Sequence, residues 1–235
     1  MPHMDSQLRQ RMLAYYDERA PEYEEAYTIG TGTASIPDPE VFKAEARAME
    51  DIVVRVVHGR VLDLACGTAY WLPHYAANCS RTTLFDQSDR MLAEARAKAS
   101  RLGILARCDF VQGDFFDHDF PLHSHDTALV GFFLSHLTEN QERVLFDALR
   151  ILLDSGGRFL ILDSAWSPER AKFNSKVELQ PRQLNDGTPF EIYKRYCDRD
   201  DISRWAQEHD IVLRIEHFGS AFYAVSGMFD RTAGG

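Results

Sequence analysis

Between residues 60 and 164 the apolar positions gather into five short runs: RVLDLAC (60–66), RTTLFD (81–86), CDFVQGD (108–114), DTALVGFFL (126–134) and GRFLILDS (157–164). Each is rich in β-forming residues and too short for a helix, so each predicts a buried strand. The intervening stretches at about 70–79, 88–103 and 139–153 repeat their apolar residues at helical spacing. Strands alternating with helices at this interval need right-handed crossovers, which make a parallel sheet covered by helices on both faces.

The flanks have a different texture. Leu8, Met12, Leu13, Tyr15, Tyr16, Ala20, Tyr23 and Tyr27 recur at mostly helical spacing interrupted by Pro21, which predicts one or two short amphipathic helices. A Gly, Pro and Ser/Thr-rich connector, TIGTGTASIPDPE (28–40), leads into a helical run from Val41 to about Val57. After Ser164 a polar stretch reaches Gln183. The turn Asn185-Asp186-Gly187 then precedes the strand-like PFEIYKRYC (189–197), which predicts a hairpin inserted over the carboxyl edge of the sheet. A helix near 200–209 and two strands, IVLRIEHFG and AFYAVSGMF, paired antiparallel across Gly219 and Ser220, complete the chain.

The expected fold is therefore α/β, doubly wound, with a mostly parallel seven-stranded sheet, an N-terminal helical lid and a β-hairpin insertion after the fifth strand. One domain is expected over 1–235: lid and connector (1–40), cofactor-binding core (41–164), substrate-cap insertion (165–199), then the final helix and antiparallel strands (200–235).

Composition narrows the function. The chain has 235 residues with 26 Lys plus Arg against 36 Asp plus Glu, a formal net charge of −10. That balance lacks the electrostatic footprint of a nucleic-acid or anionic-membrane binder, and the expected partner is a small molecule, with the protein a monomer or homodimer. The cysteines Cys66, Cys79, Cys108 and Cys197 form no CxxC pair, so no metal is expected and the thiols read as reduced. No stretch approaches the roughly 20 apolar residues of a membrane span, and the N-terminus has no apolar core behind its charges, so a cytoplasmic protein is expected.

In a doubly wound sheet the ligand lies beyond the carboxyl ends of the strands, at the switch point beside the first. The loop there is Ala65-Cys66-Gly67-Thr68-Ala69, with small residues that let backbone approach a ligand, but without a full GxGxxG. That weakens a nicotinamide reading, because pyrophosphate binding relies on those glycines. Asp86, at the end of the second strand, is placed to accept hydrogen bonds from both hydroxyls of an adenosine ribose. Gly113-Asp114-Phe115, after the third, offers a carboxylate for an adenine amino group and a ring for its face.

With these residues the chain resembles the class I, Rossmann-like S-adenosylmethionine-dependent methyltransferases. VLDLACGTAYW is similar to their first motif, LFDQSDRMLAEAR to their acidic ribose loop, QGDFFD to their adenine loop, and SGGRFLILD to the turn into the fifth strand. The resemblance covers 60–164 and implies S-adenosylmethionine as cofactor, with Asp63, Ala65, Gly67, Asp86, Gln87, Met91, Gly113, Asp114 and Phe115 around it and Tyr23 contributed by the lid. Ala65 and Ala69 stand where the family usually has its first and third glycines.

The segments YYDERAPEY, FFLSHL and PRQLNDGTPFEIYKRY further resemble natural-product, small-molecule methyltransferases of the dehydrophos phosphonate O-methyltransferase type. This implies a substrate chamber from Tyr16, Tyr27, Phe132, His136, Arg182 and Lys194. His136, after the fourth strand, either takes a proton from a hydroxyl or hydrogen-bonds the acceptor. Arg182 and Lys194 would face an anionic group, while Arg195 and Arg199 read as solvated hairpin charges. The expected reaction is O-methylation of an anionic, phosphonate- or carboxylate-like, or hydroxyl acceptor. The alternatives are an N- or C-methyltransferase on the same scaffold and a non-catalytic adenosyl-ligand binding protein, for which the two alanines are the ground.

Overall fold

The computed structural model describes residues 6–27 and 38–230. Helix α1 (Ser6–Arg19) passes at Ala20 into a 3-10 segment, Ala20–Tyr27, so the helical stripe of the N-terminus breaks where Pro21 requires it. Residues 28–37, most of the connector, lie outside the described residues, as does the Tyr27 side chain. Helix α2 (Pro39–Val56) starts where Asp38 accepts hydrogen bonds from the Glu40 and Val41 amides and Pro39 fills the first turn.

Seven strands follow in one sheet: β1 (Gly59–Leu64), β2 (Cys79–Asp86), β3 (Cys108–Gln112), β4 (His125–Gly131), β5 (Leu153–Ser164), β8 (Ile211–Phe218) and β9 (Phe222–Phe229). Their order is β3-β2-β1-β4-β5-β9-β8, parallel through β5 and antiparallel at the last two strands. The period of two sorts each strand between two apolar layers. Leu62 and Leu64 of β1 join Val130, Phe146 and Phe159 on one face, while Val61 joins Val53, Leu84 and Leu129 on the other.

The crossovers are α3 (Leu72–Tyr75), α4 (Asp89–Arg101) and α5 (Glu139–Leu152). Helix α4 is capped by the Ser88 hydroxyl, and α5 by a reciprocal pair between Thr138 and Gln141. The helix expected over 70–79 is one α turn, with Pro73 in it, followed by a 3-10 turn at Ala76–Asn78.

The insertion is a separate two-stranded ribbon of β6 (Val177–Gln183) and β7 (Pro189–Arg195), closed by a turn in which Gly187 has φ +92°. Two strands alone are marginal in water. This pair is held by a third apolar cluster, in which Leu8, Met12 and Tyr15 of α1 pack on Leu184, Ile192 and Tyr193. Lid and hairpin thus stabilise each other above the carboxyl edge of the sheet. Helix α6 (Arg199–Glu208), with Asp198 and Asp201 forming its cap, leads back into β8.

Candidate active site

Two adjoining cavities of about 820 Å³ each open above the carboxyl ends of the strands. The first lies against Ala65 and Gly67 after β1, Asp86 and Gln87 after β2, Phe116 after β3 and Gly131 to Phe133 after β4, with Met91 behind and Arg9, Met12 and Tyr16 of α1 above. The second lies between the lid, the β5 end and the hairpin, and is lined by Arg19, Arg170, Arg182, Lys194, Ser164 and Tyr196 among others. Tyr16, Tyr23, Phe132 and His136 line both.

The loop after β1 owes its shape to three left-handed residues, Ala65 (φ 53°), Gly67 (φ 54°) and Ala69 (φ 55°). The two alanines therefore take the glycine conformation at a steric cost of roughly 1–2 kcal/mol each. At Gly67 it is the left-handed backbone and not space that favours glycine, since a Cβ there would make ordinary van der Waals contact, 3.5 Å from the Tyr23 ring and 3.9 Å from the Met91 sulfur. Asp86 pins the loop: one carboxylate oxygen accepts from the Gly67 amide at 2.8 Å and the other from the Ser88 amide at 2.9 Å. Burial raises its pKa above the usual carboxylate value, partly offset by those amides. Asp86 lines the cavity, and each of its oxygens keeps lone-pair capacity beyond these bonds. A cavity at the switch point, with a carboxylate at the end of β2 and a glycine-bearing loop at the end of β1, fits an adenosyl ligand.

Several expected cofactor residues stand elsewhere. Asp63 does not line the cavity; it is 1% exposed beneath the loop, accepts the Tyr75 hydroxyl at 2.7 Å, and has its pKa pushed up to about 7 by burial. Phe115 is turned into the core against Phe116, Phe120 and Phe133, and it is Phe116 that faces the cavity. Gly113 packs under Phe85 and His118. Asp114 sits at the rim, ion-paired with Arg9 of the lid and accepting from the Phe116 amide.

The loop after β4 carries a constraint that motif spacing did not show. A Cβ on Gly131 would lie 2.6 Å from Trp71 Nε1, and Phe132 is held at φ 55° with its ring stacked on Trp71. This strained residue sits between the two cavities, a placement typical of functional loops. His136 follows in a 3-10 turn. Its Nδ1–H donates to the Tyr193 carbonyl at 2.9 Å, which leaves Nε2 to accept the Tyr16 hydroxyl at 2.7 Å. Burial, and then the charge of Lys194, hold its pKa down at about 3, so the ring is neutral. Tyr16 is likewise neutral, its pKa pushed well above the usual phenol value by burial.

Arg182 and Lys194 come together as expected from the hairpin: Glu178 faces Lys194 and Arg182 faces Phe190 across the ladder, so both cations project from one side of the ribbon into the second cavity. Lys194 Nζ donates to Ser135 Oγ at 2.6 Å and lies 3.6 Å from Asp163. Arg195 does not behave as a solvated charge. It points to the opposite face, is 4% exposed, and is ion-paired with the fully buried Glu142, which also binds Arg204. Arg199 is exposed, over the Phe218 ring. Arg19 and Arg170 were not anticipated. The spacing of Arg19 three residues after Tyr16, on the same helical face, was the available signal for the first; nothing in the loop sequence marks the second. Among the described residues no cluster of metal-ligating side chains occurs, and no helix is long and apolar enough to cross a membrane.

Comparison with known proteins agrees with this geometry. Residues 61–157 match the methyltransferase domain family. A phosphatidylethanolamine N-methyltransferase of Cereibacter sphaeroides is 34% identical over 105 residues, 45% of this chain and 50% of that protein. The ubiquinone/menaquinone biosynthesis C-methyltransferase UbiE of Enterobacter sp. (strain 638) is 31% identical over 106 residues, 44% and 41% of the two chains. The chain thus spans half or less of the length of these curated relatives, and each match covers under half of this chain. The DhpI–SAM–HEP complex is similar throughout, with a TM-score of 0.78 and 25% identity over 96% of this chain and 100% of the other. The glycopeptide N-methyltransferase MtfA bound to S-adenosylmethionine shares the fold at a TM-score of 0.60 and 18% identity, over 79% of this chain and 86% of the other. With the switch-point cavity and the pinned β1 loop in place, residues 61–157 match the methyltransferase domain family and the chain is similar in fold to class I, Rossmann-like S-adenosylmethionine-dependent methyltransferases.

Proposed function

We propose that this protein methylates an oxygen of a small anionic acceptor, phosphonate- or carboxylate-like, held in the second cavity. The observation that carries the reading is the charge of that cavity: Arg19, Arg170, Arg182 and Lys194 line it, in a protein whose net charge of −10 repels anions at long range. The likeness to the DhpI–SAM–HEP complex, which extends over 96% of this chain and so beyond the cofactor-binding core, supports a small-molecule acceptor.

Asp86, Gly67, Ala65, Gln87, Met91 and Tyr23 would hold the cofactor in the first cavity. S-adenosylmethionine supplies there a methyl group on a sulfonium, already activated for displacement. What remains for the protein is proximity, alignment and exclusion of water. Tyr16, Tyr23, Phe132 and His136 stand between donor and acceptor chambers and set the line of approach. An ionised oxygen needs no base. His136 fits that chemistry, since its Nε2 is already occupied by the Tyr16 hydroxyl and its pKa of about 3 makes it a poor proton acceptor for an alcohol. Its role in this reading is to orient Tyr16.

Methylation at nitrogen or carbon is the competing reading, favoured by the N- and C-methyltransferases that match under half of this chain. The deciding experiment measures release of S-adenosylhomocysteine with a panel of phosphonates, carboxylates, phenols, amines and activated carbon acids. Anionic oxygen acceptors are expected to turn over best, and Arg182→Ala is expected to raise their KM by about 10-fold or more with cofactor affinity unchanged. Best turnover of amines or neutral phenols, together with a silent Arg182→Ala, refutes the proposal.

A further inference from the structure

The second cavity draws its cations from separate parts of the chain: Arg19 from α1, Arg170 from the loop after β5, Arg182 and Lys194 from the hairpin. Arg19 is unlike the charges by which the lid meets the rest of the protein. Arg9 is paired with Asp114, Asp17 accepts the Ser88 hydroxyl at 2.6 Å, Glu24 accepts the Thr68 hydroxyl at 2.6 Å and binds Lys98, and Glu22 accepts the Asn185 amide. Arg19 is 8% exposed, donates to the Tyr15 hydroxyl of its own helix, and has no carboxylate partner among the described residues. A guanidinium buried without a counter-ion is costly, and an anion arriving in the cavity it lines would relieve that cost. The helix that carries Arg19 also roofs the first cavity through Arg9, Met12 and Tyr16.

We propose that Arg19 is a specificity-determining residue through which the anionic group of the acceptor holds the lid down over the cofactor, so that acceptor and cofactor bind with positive cooperativity. The proposal rests on the anionic-acceptor reading above. The lid lines both cavities and its polar ties reach all three cofactor loops, after β1 (Thr68), β2 (Ser88) and β3 (Asp114). Whatever stabilises its closed position through Arg19 must therefore strengthen cofactor binding, and by linkage the cofactor must strengthen anion binding by the same factor.

The test is calorimetric titration of S-adenosylhomocysteine into the whole protein in saturating inorganic phosphate, against sodium chloride at equal ionic strength so that screening is matched. Phosphate is expected to lower the Kd of S-adenosylhomocysteine by about 5-fold or more. Arg19→Gln should abolish the effect while its Kd in chloride stays within about 2-fold of the parent, and Arg19→Lys should retain part of it. Hydrogen exchange over residues 6–27 should slow further with both ligands than with S-adenosylhomocysteine alone, which reads lid closure directly and also exposes any misfolded variant. If phosphate binds in an Arg182-dependent manner but leaves S-adenosylhomocysteine affinity unchanged, or if Arg19→Gln keeps the coupling, the Arg19 proposal fails and the anionic-acceptor reading stands. If phosphate does not bind at all, both fail.

Discussion

Raising the pH through 8 should disable acceptor binding by discharging one side chain, Lys194. Its ammonium is 10% exposed and is held by Ser135 Oγ, by Asp163 of β5, and over the Tyr196 ring at 5.8 Å. Burial lowers its pKa to about 8, Asp163 working against that shift and the Arg182 and Arg170 charges adding to it. Lys194 is then about 90% protonated at pH 7 and about 10% at pH 9, so kcat/KM for an anionic acceptor should fall by about 10-fold across that interval. The fall levels off once the charge-assisted bond, worth about 1.5–3 kcal/mol, is fully lost, because the three arginines remain charged. His136, already neutral above about pH 3, and Tyr16, neutral well past pH 10, do not contribute in this range.

The assay is the initial rate of S-adenosylhomocysteine release at subsaturating acceptor and constant ionic strength between pH 6 and 9.5. A carboxylate acceptor is preferable, since carboxylates are ionised above about pH 5.5 and add no limb of their own. Lys194→Arg should remove the alkaline limb. A flat profile in the parent protein, or the same limb in Lys194→Arg, refutes the assignment of the limb to Lys194. Stability should move the other way. The folded pKa lies below the unfolded one, so the buried charge opposes folding below pH 8, and that cost, roughly 3 kcal/mol, is relieved as pH rises from about 8 toward 10.4.

Two further outcomes are expected. Asp86→Ala removes both the loop ties to Gly67 and Ser88 and the expected ribose acceptor, so S-adenosylhomocysteine affinity by calorimetry should fall roughly 10- to 150-fold; unchanged affinity in a folded variant counts against the placement of the cofactor. Glu142→Gln leaves Arg195 buried without its counter-charge, a loss of about 3–5 kcal/mol that should lower Tm by roughly 6–20 °C, and a shift under about 2 °C would contradict the buried pair.

What the sequence made legible is what contiguous chain determines. The five parallel strands, their order of appearance and the loops after β1 and β2 could be read because a buried strand and the turn that follows it are local in sequence, and the switch-point rule then places them. Where the chain reverses without a period, that reasoning had no purchase. Nothing in Gly113-Asp114-Phe115-Phe116 says which ring turns inward, and the structure gives the core Phe115 and the cavity Phe116. The hairpin shows the same limit in a strand. A period of two guarantees that Lys194 and Arg195 face opposite ways, but which of them meets the cavity depends on the lid packed against Ile192 and Tyr193, and the lid is distant in sequence.

That dependence also explains why half of the cavity's cations were missed. Arg182 and Lys194 belong to the hairpin, whose role could be guessed from its place after β5. Arg19 and Arg170 acquire a role only once α1 and the loop after β5 are folded over the same space. Arg170 is fixed there by its own donors, Nε to the Ala165 carbonyl at 2.7 Å and Nη2 to the Ala221 carbonyl at 2.8 Å, which tie the loop to the ends of β5 and β9. Among the described residues Arg19 has no such anchor outside its own helix. Arg182 likewise donates only within its own strand, to Gln180 and the Pro181 carbonyl, but of the four cations only Arg19 is carried by a helix that covers the cofactor chamber as well.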